Sequence, residues 1–434
     1  MTTSAPTPTP DIVGRANREG VDLFRRWFGE LQAAADDDRP AAYTFVMGSL
    51  GELLRAFDLP VVFPEINSLQ TAVKRVAHEY LDLAEDEGYS PDVCGYVKAD
   101  VAVQRRGGEH PLGRIPKPAI AILTNACNTY VKWAEIWERM YDIPMCTIDV
   151  PGTRNATPGG GSDPTYDGDR RYVEDQIREL IPRLEQVSGV RFDIDRLREN
   201  MGFANTTSLR WKELLELNAN RPAVFNALTD GTIYLGVSNA MRGTRECAAY
   251  FDALVEEMRT KVARGIGTLT DERYRLGFVG VPCYPIFRRF NELFSEWGGT
   301  FVGSTYLWFA SGGANLGFQY DLDRPIESLA EGLLVTVRDA MDSMFHLERI
   351  LPRMIESQHL DGVVYHPIKS CRTVSTGLAD SRRWMMEHVP TPSLFIESDM
   401  MDRRVVSEAQ LKNRVDAFFE GLASRRLRQD AGRV

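Results

Sequence analysis

From residue 41 to residue 150 the chain repeats one pattern, a short apolar run followed by a longer stretch with apolar residues at helical spacing. The runs are "YTFVM", "LPVVF", "AIAIL" and "PMCTIDV", and between them lie segments such as "NSLQTAVKRVAHEYLDLAEDEG" and "TYVKWAEIWERMYD". Runs of this length read as strands, and the spacing between them as helix. Strands joined through helices pair in parallel, because each crossover returns the chain to the same end of the sheet, and such sheets are covered on both faces. A second region of the same kind starts at "YRLGFVGVPC" and runs through "GTFVGSTYLWF", "DGVVYHPI" and "PSLFIESD". The expected fold class is therefore α/β, with two parallel-sheet domains of flavodoxin or Rossmann type over 40–165 and 269–428. A helical connecting region over 166–268 joins them, and a disordered tip with a helical arm, 1–39, precedes them. No close sequence repeat relates the two halves.

At 434 residues and 43% hydrophobic content, the chain has enough apolar material for two or three cores. Its formal charge of -10 is spread along the helices without basic blocks, which leaves no footprint for nucleic acid or a membrane surface. The apolar windows are too short to cross a bilayer, and "MTTSAPTPTPDIVG" lacks the order of a signal peptide, so a cytoplasmic location is expected. A Gly-rich stretch over 152–168 interrupts the first region and reads as a lid or a surface insertion.

In an open α/β sheet the functional crevice lies outside the carboxyl ends of the strands, so residues just past each run are the first candidates for chemistry. Six cysteines are dispersed through the chain, which argues for free thiols serving metal binding, catalysis or burial. Cys127 and Cys371 each follow a strand, in different halves, and Cys94 precedes the helix "VCGYVKADVAVQ". Amide groups at such positions are expected to lower a thiol's pKa, and the thiolate is the form that ligates iron or zinc. Three of them suit an iron–sulfur cubane with one iron open. The competing reading is that each packs as a small hydrophobe. Burial is the default for Cys146 and Cys247, whereas Cys283, in "VGVPCYP", ends a strand and is a candidate for a supporting or cleft position. Glu65 and Ser49 follow strands of the first half. Glu65 is either a general acid or base, or a cap for the next helix. His366, shortly before Cys371, is a candidate proton donor. Phosphate-loop, zinc-peptidase and hydrolase-elbow motifs are missing.

The segments "DVCGYVKADV", "SGVRFDIDRLRE", "KSC" with "STG" soon after, and "FIESDMMDRR" followed by "KNRVDAFF" resemble the family of ATP-dependent benzoyl-CoA reductases and 2-hydroxyacyl-CoA dehydratases, most closely the B-type reductase subunits. The likeness runs from about residue 40 to about 420. It implies a [4Fe–4S] cluster held by Cys94, Cys127 and Cys371, in a heterodimer with a homologous C-type subunit. It implies electrons from an ATP-hydrolysing activator, with a ferredoxin-type donor upstream, and an acyl-CoA substrate reduced through a radical anion. It leaves open a 2-hydroxyacyl-CoA dehydratase, in which the electron is recycled, and a non-catalytic electron relay. Cys283 departs from the expected pattern, and a fourth-ligand role for it stays open.

Overall fold

The computed structural model describes residues 13–152, 165–309, 317–340 and 346–430. Each apolar run becomes a strand. In the first sheet β1 (Ala41–Thr44) is flanked by β2 (Val61–Val62) and by β5 (Pro118–Thr124), with β6 (Met145–Ile148) beyond β5, all parallel. A small antiparallel hairpin, β3 (Glu109–His110) with β4 (Gly113–Arg114), lies apart from it. In the second sheet β7 (Tyr274–Val279) is flanked by β8 (Gly299–Ser304) and by β9 (Gly362–Tyr365), with β10 (Ser393–Phe395) beyond β9, again all parallel. With each sheet's strands counted in chain order, the two sheets have the same order, 2-1-3-4. The halves share a topology that their sequences do not disclose. In this order the winding reverses between the first and third strands, so a crevice opens at the carboxyl ends of β1 and β5, and another at those of β7 and β9.

The central strands β1, β7 and β9 are buried at every position and β5 at all but Ala119, as two covered faces require. The segment "NSLQTAVKRVAHEYLDLAEDEG" forms two helices, Pro64–Val73 and Ala77–Asp86, parted where Arg75 takes a left-handed φ of 64°. Pro64 sits at the helix start, where its missing N–H costs nothing. The first helix, Arg15–Asp36, buries Leu23, Trp27, Phe28 and Leu31 in the main core. Its entry is held by the buried carboxylate of Glu257, which accepts from the backbone N–H of Gly14 (2.5 Å) and of Ala16 (2.7 Å).

Between the sheets run the helices Tyr166–Ser188, Ile194–Leu217, Thr229–Ala240 and Arg245–Arg264. Arg275, fully buried on β7, ties the end of the second of these to the second sheet. Its guanidinium donates to the carbonyls of Asn218, Ala219, Asn220 and Gln358, and pairs with Glu272 at 2.6 Å. Truncation would strand four acceptors and a buried carboxylate. Arg275→Ala is therefore expected to lower unfolding stability by about 3–5 kcal/mol, measured by denaturant titration.

The expected lid over 152–168 lies mostly outside the described residues. No helix among those described is long and apolar enough to cross a membrane.

Candidate active site

The carboxyl ends of both sheets open onto one cavity of about 620 Å³. Val46 and Met47 reach it from the end of β1 and Cys127 from β5; Gly280 and Val281 reach it from β7, and Thr305 and Tyr306 from β8. Cys94 and Cys371 line it as well. Each of the three thiols is the residue immediately before a helix: Cys94 before Gly95–Arg105, Cys127 before Asn128–Tyr141, and Cys371 before the short Arg372–Ser375. All three are half-buried.

Each pair of thiol-bearing segments is tied by specific contacts. Asp100, on the helix after Cys94, accepts from the indole N–H groups of Trp133 and Trp137, both at 2.7 Å, on the helix after Cys127. Burial raises this carboxyl to about 6, and the indole bonds act against the rise. Thr373, just past Cys371, places its hydroxyl 3.3 Å from the Cys127 sulfur and 3.2 Å from the Asn128 side chain. Gly95 packs directly on the segment after β10, where a Cβ would lie 2.6 Å from Cβ of Met401. Only glycine lets the Cys94 turn come this close to that segment, which is bonded in turn to the loop carrying Cys371.

The two segments are joined by Asp399, whose carboxylate accepts from the backbone N–H groups of Ser370 (2.9 Å), beside Cys371, and of Met401 (2.8 Å) and Asp402 (3.0 Å) on its own segment. It is buried, so its loss would leave three donors without partners. Asp399→Ala is expected to cost about 2–4 kcal/mol of stability and to loosen Cys371; the thiol's rate of alkylation in the folded protein reports the second effect.

Neighbouring amides were expected to depress the thiol pKa values. The amides of Tyr96 and Val97 do approach Cys94, and those of Thr373 and Val374 approach Cys371, but burial is the larger effect and the other thiols add to it. Cys371 is pushed up to about 12 and Cys94 is also pushed far up. Without a cation between them these sulfurs stay protonated. Among the described residues no group of three His, Cys, Asp or Glu side chains is placed to hold a single metal ion.

Glu65 lines the cavity from the first turn of helix Pro64–Val73. Its Oε1 accepts from the Tyr130 hydroxyl at 2.6 Å, and the backbone N–H of Val46 approaches both carboxylate oxygens at 3.2 and 3.3 Å. Burial raises its pKa to about 7, against the lowering effect of these donors. Tyr130 is itself stacked on Phe45 at 3.9 Å between ring centres. Tyr96, Tyr284 and Tyr306 share the cavity wall, and the Tyr284 hydroxyl bonds that of Tyr306 at 3.1 Å. Burial raises all three phenols, so they remain hydrogen-bond donors.

Two sequence expectations fail on geometry, and a third fails in one of its two forms. His366 does not reach the cavity: its ring is fully buried among Phe278 and Phe290, with Nδ1 on the carbonyl of Val281 (2.6 Å) and Nε2 on the Ser398 hydroxyl (2.5 Å). Burial lowers its pKa to about 4, so it is a neutral core residue and not a proton donor. Ser49 is carried away by the turn at Gly48, whose φ is +79° and where a Cβ would meet Thr124 at 2.7 Å; Ser49 is absent from the cavity wall. Cys283 is buried beside Ser398 and lines no part of the cavity, which removes the cleft position and leaves the supporting one.

The sequence reading missed Tyr130, Asp100 and Asp399. Tyr130 was within reach, because it lies in the first turn of the helix that Cys127 begins, as was Asp399, which follows the run "SLFIES".

A model of the family described as 2-hydroxyglutaryl-CoA dehydratase, D-component, matches residues 51–422. The chain is 31% identical to the B-type subunit of the benzoyl-CoA reductase of Thauera aromatica, with 92% of each chain covered. It is 26% identical to the (R)-2-hydroxyisocaproyl-CoA dehydratase alpha subunit of Clostridioides difficile, covering 93% of this chain and 95% of that one. It is also 26% identical to the (R)-phenyllactyl-CoA dehydratase alpha subunit of Clostridium sporogenes, covering 86% and 88%.

Proposed function

The chain belongs to the 2-hydroxyglutaryl-CoA dehydratase D-component family, and from that premise we propose that it is the cluster-bearing catalytic subunit of a benzoyl-CoA-type reductase. The observation that carries this reading is the arrival of three thiols from remote segments at one cavity, beside a buried carboxyl group held in place by the Tyr130 hydroxyl.

The donor set fits a cubane. Each corner of such a cluster takes a separate thiolate, so its ligands need not meet at one point, as ligands of a single ion must. Three thiolates in an apolar cavity are strongly unfavourable unless a multiply charged cation lies among them. Cys94, Cys127 and Cys371 would hold the group, and Cys283 would not. When bound, a [4Fe–4S] cluster supplies single electrons of low potential, received from an ATP-hydrolysing activator fed by a ferredoxin-type donor.

The remaining work belongs to the protein. The apolar wall, including Ile66, Leu69, Trp133 and Leu235, excludes water from the acyl group and strengthens every hydrogen bond made there. The phenols of Tyr96 and Tyr306 are donors for the thioester oxygen as charge develops on it, and Tyr284 supports Tyr306 by donating to its hydroxyl. Glu65 holds a proton on its carboxyl near pH 7 and delivers it to the acyl group, with Tyr130 fixing the carboxyl's position. Relatives named as subunits support a complex with further chains, and in this reading the partner is a homologous C-type subunit that completes a heterodimer.

The dehydratase relatives support a second reading, in which the same cavity takes a 2-hydroxyacyl-CoA and Glu65 acts as a base. An anaerobic assay of the activated complex separates the two. Electrons consumed in step with benzoyl-CoA support the reductase; repeated dehydration after a single activation supports the dehydratase. In a non-catalytic relay, turnover would be indifferent to Glu65.

A further inference from the structure

The cavity has a polarity along its length. Its floor holds the thiols, Glu65 and the tyrosines. At its mouth stand Val21 and Val73, both 38% exposed, and three exposed cations, Arg25, Lys74 and Arg288. On a chain of net charge -10, three cations around one apolar opening are a local reversal of sign. Arg25 is partly neutralised by Asp22 at 2.7 Å. Lys74 and Arg288 have no acidic partner among the described residues. Among the described residues the one other acid on the wall besides Glu65, Asp230, is already engaged by the side chain of Asn17 (3.0 Å) and the backbone N–H of Asn226 (2.9 Å).

A single helix sets the distance from floor to mouth. Glu65 lies in the first turn of Pro64–Val73 and Lys74 is the residue that ends it, which separates them by about 13 Å along the axis. A ligand serving both ends needs an anionic head, a slender arm of at least that length, and an acyl group at the far tip. A coenzyme A thioester has these parts: phosphates, a pantetheine arm and the acyl end. Among the described residues the floor carries no cation to receive a second carboxylate on the acyl group.

We propose that Lys74 and Arg288, with Arg25 beside them, anchor the phosphates of the coenzyme A moiety, and so fix the direction in which the thioester enters. This rests on the acyl-CoA reading of the site and adds the residues that hold the part of the substrate remote from the chemistry. Such charge-assisted contacts act on binding and leave the reacting end untouched.

The test is calorimetric titration of the full chain with coenzyme A and with pantetheine, which lacks the phosphates. Wild-type protein should bind coenzyme A with an affinity that falls as salt rises. Lys74→Glu and Arg288→Glu should each weaken it about tenfold, and pantetheine should bind weakly and equally to all forms. Arg289→Glu, a neighbouring charge reversal that does not line the cavity, should leave coenzyme A binding unchanged; this separates local contact from net charge. Wild-type affinity retained in both rim variants would overturn the anchor and leave the acyl-CoA reading standing. Failure of the wild type to bind coenzyme A would overturn both. In the active complex the rim variants should raise KM for the coenzyme A ester with kcat little changed.

Discussion

Cys94→Ser, Cys127→Ser and Cys371→Ser should each yield a folded protein whose iron content and turnover fall by at least about a hundredfold. Removal of groups that merely support a ligand costs metal sites 10–100-fold, and the ligand itself weighs more. The fold should tolerate the change, because serine is close to cysteine in size and all three positions are half-buried turns before helices. Two other cysteines are controls. Cys247 is fully buried and takes a hydrogen bond from Thr207 at 3.6 Å, and Cys283 is buried beside Ser398. Serine at either should cost stability and leave iron in place. Iron analysis with the electron paramagnetic resonance spectrum of the reduced protein reads all five variants.

The second large effect concerns Glu65. Its replacement by Gln keeps shape and hydrogen-bonding capacity and removes the titrating proton, so turnover should drop by about 10²–10⁴ while iron content stays whole. The pH dependence has a definite sign. With the carboxyl's pKa raised to about 7, the proton-donating form prevails below that value, so reductive turnover should fall as pH rises through 7. A base in the same place would give the opposite slope, which makes the profile a second test between reductase and dehydratase. Stability follows the same proton. Between the ordinary glutamate value and about 7 the folded state binds a proton that the unfolded chain does not. Stability is therefore full at lower pH and is lost as pH rises through this window, by as much as ~3 kcal/mol. Glu65→Gln should flatten both slopes.

The architecture was legible in the sequence to the extent that it depends on periodicity. All eight apolar runs are strands, since buried parallel strands admit few polar residues and leave uninterrupted signals. The position of Cys127 and Cys371 past strand ends was legible for the same reason. What could not be read were matters of direction. Gly48 turns the chain so that Ser49 leaves the cavity, and nothing local in "FVMGSLG" reveals which way that turn points. His366 follows a strand just as Cys127 does, yet its ring enters the core because the Val281 carbonyl and Ser398 wait for it there. Those partners lie far away in the chain. The expected direction for Cys94 and Cys371 was misjudged because the local amide effect is visible in sequence, whereas desolvation depends on everything that packs around the sulfur. The twin 2-1-3-4 order of the sheets was hidden as well, since topology is conveyed by pairing partners and not by the runs themselves.

The central claim is that thiols from three remote segments jointly hold one inorganic cluster. Its most direct test is quantitative iron and acid-labile sulfide analysis of the anaerobically purified protein, with Mössbauer spectroscopy of an iron-57-enriched sample. The expected result is equimolar iron and sulfide at one cubane per chain, with one iron site distinct from the other three. Iron-free protein that recovers neither metal nor sulfide on anaerobic reconstitution would contradict the claim, whatever its affinity for coenzyme A.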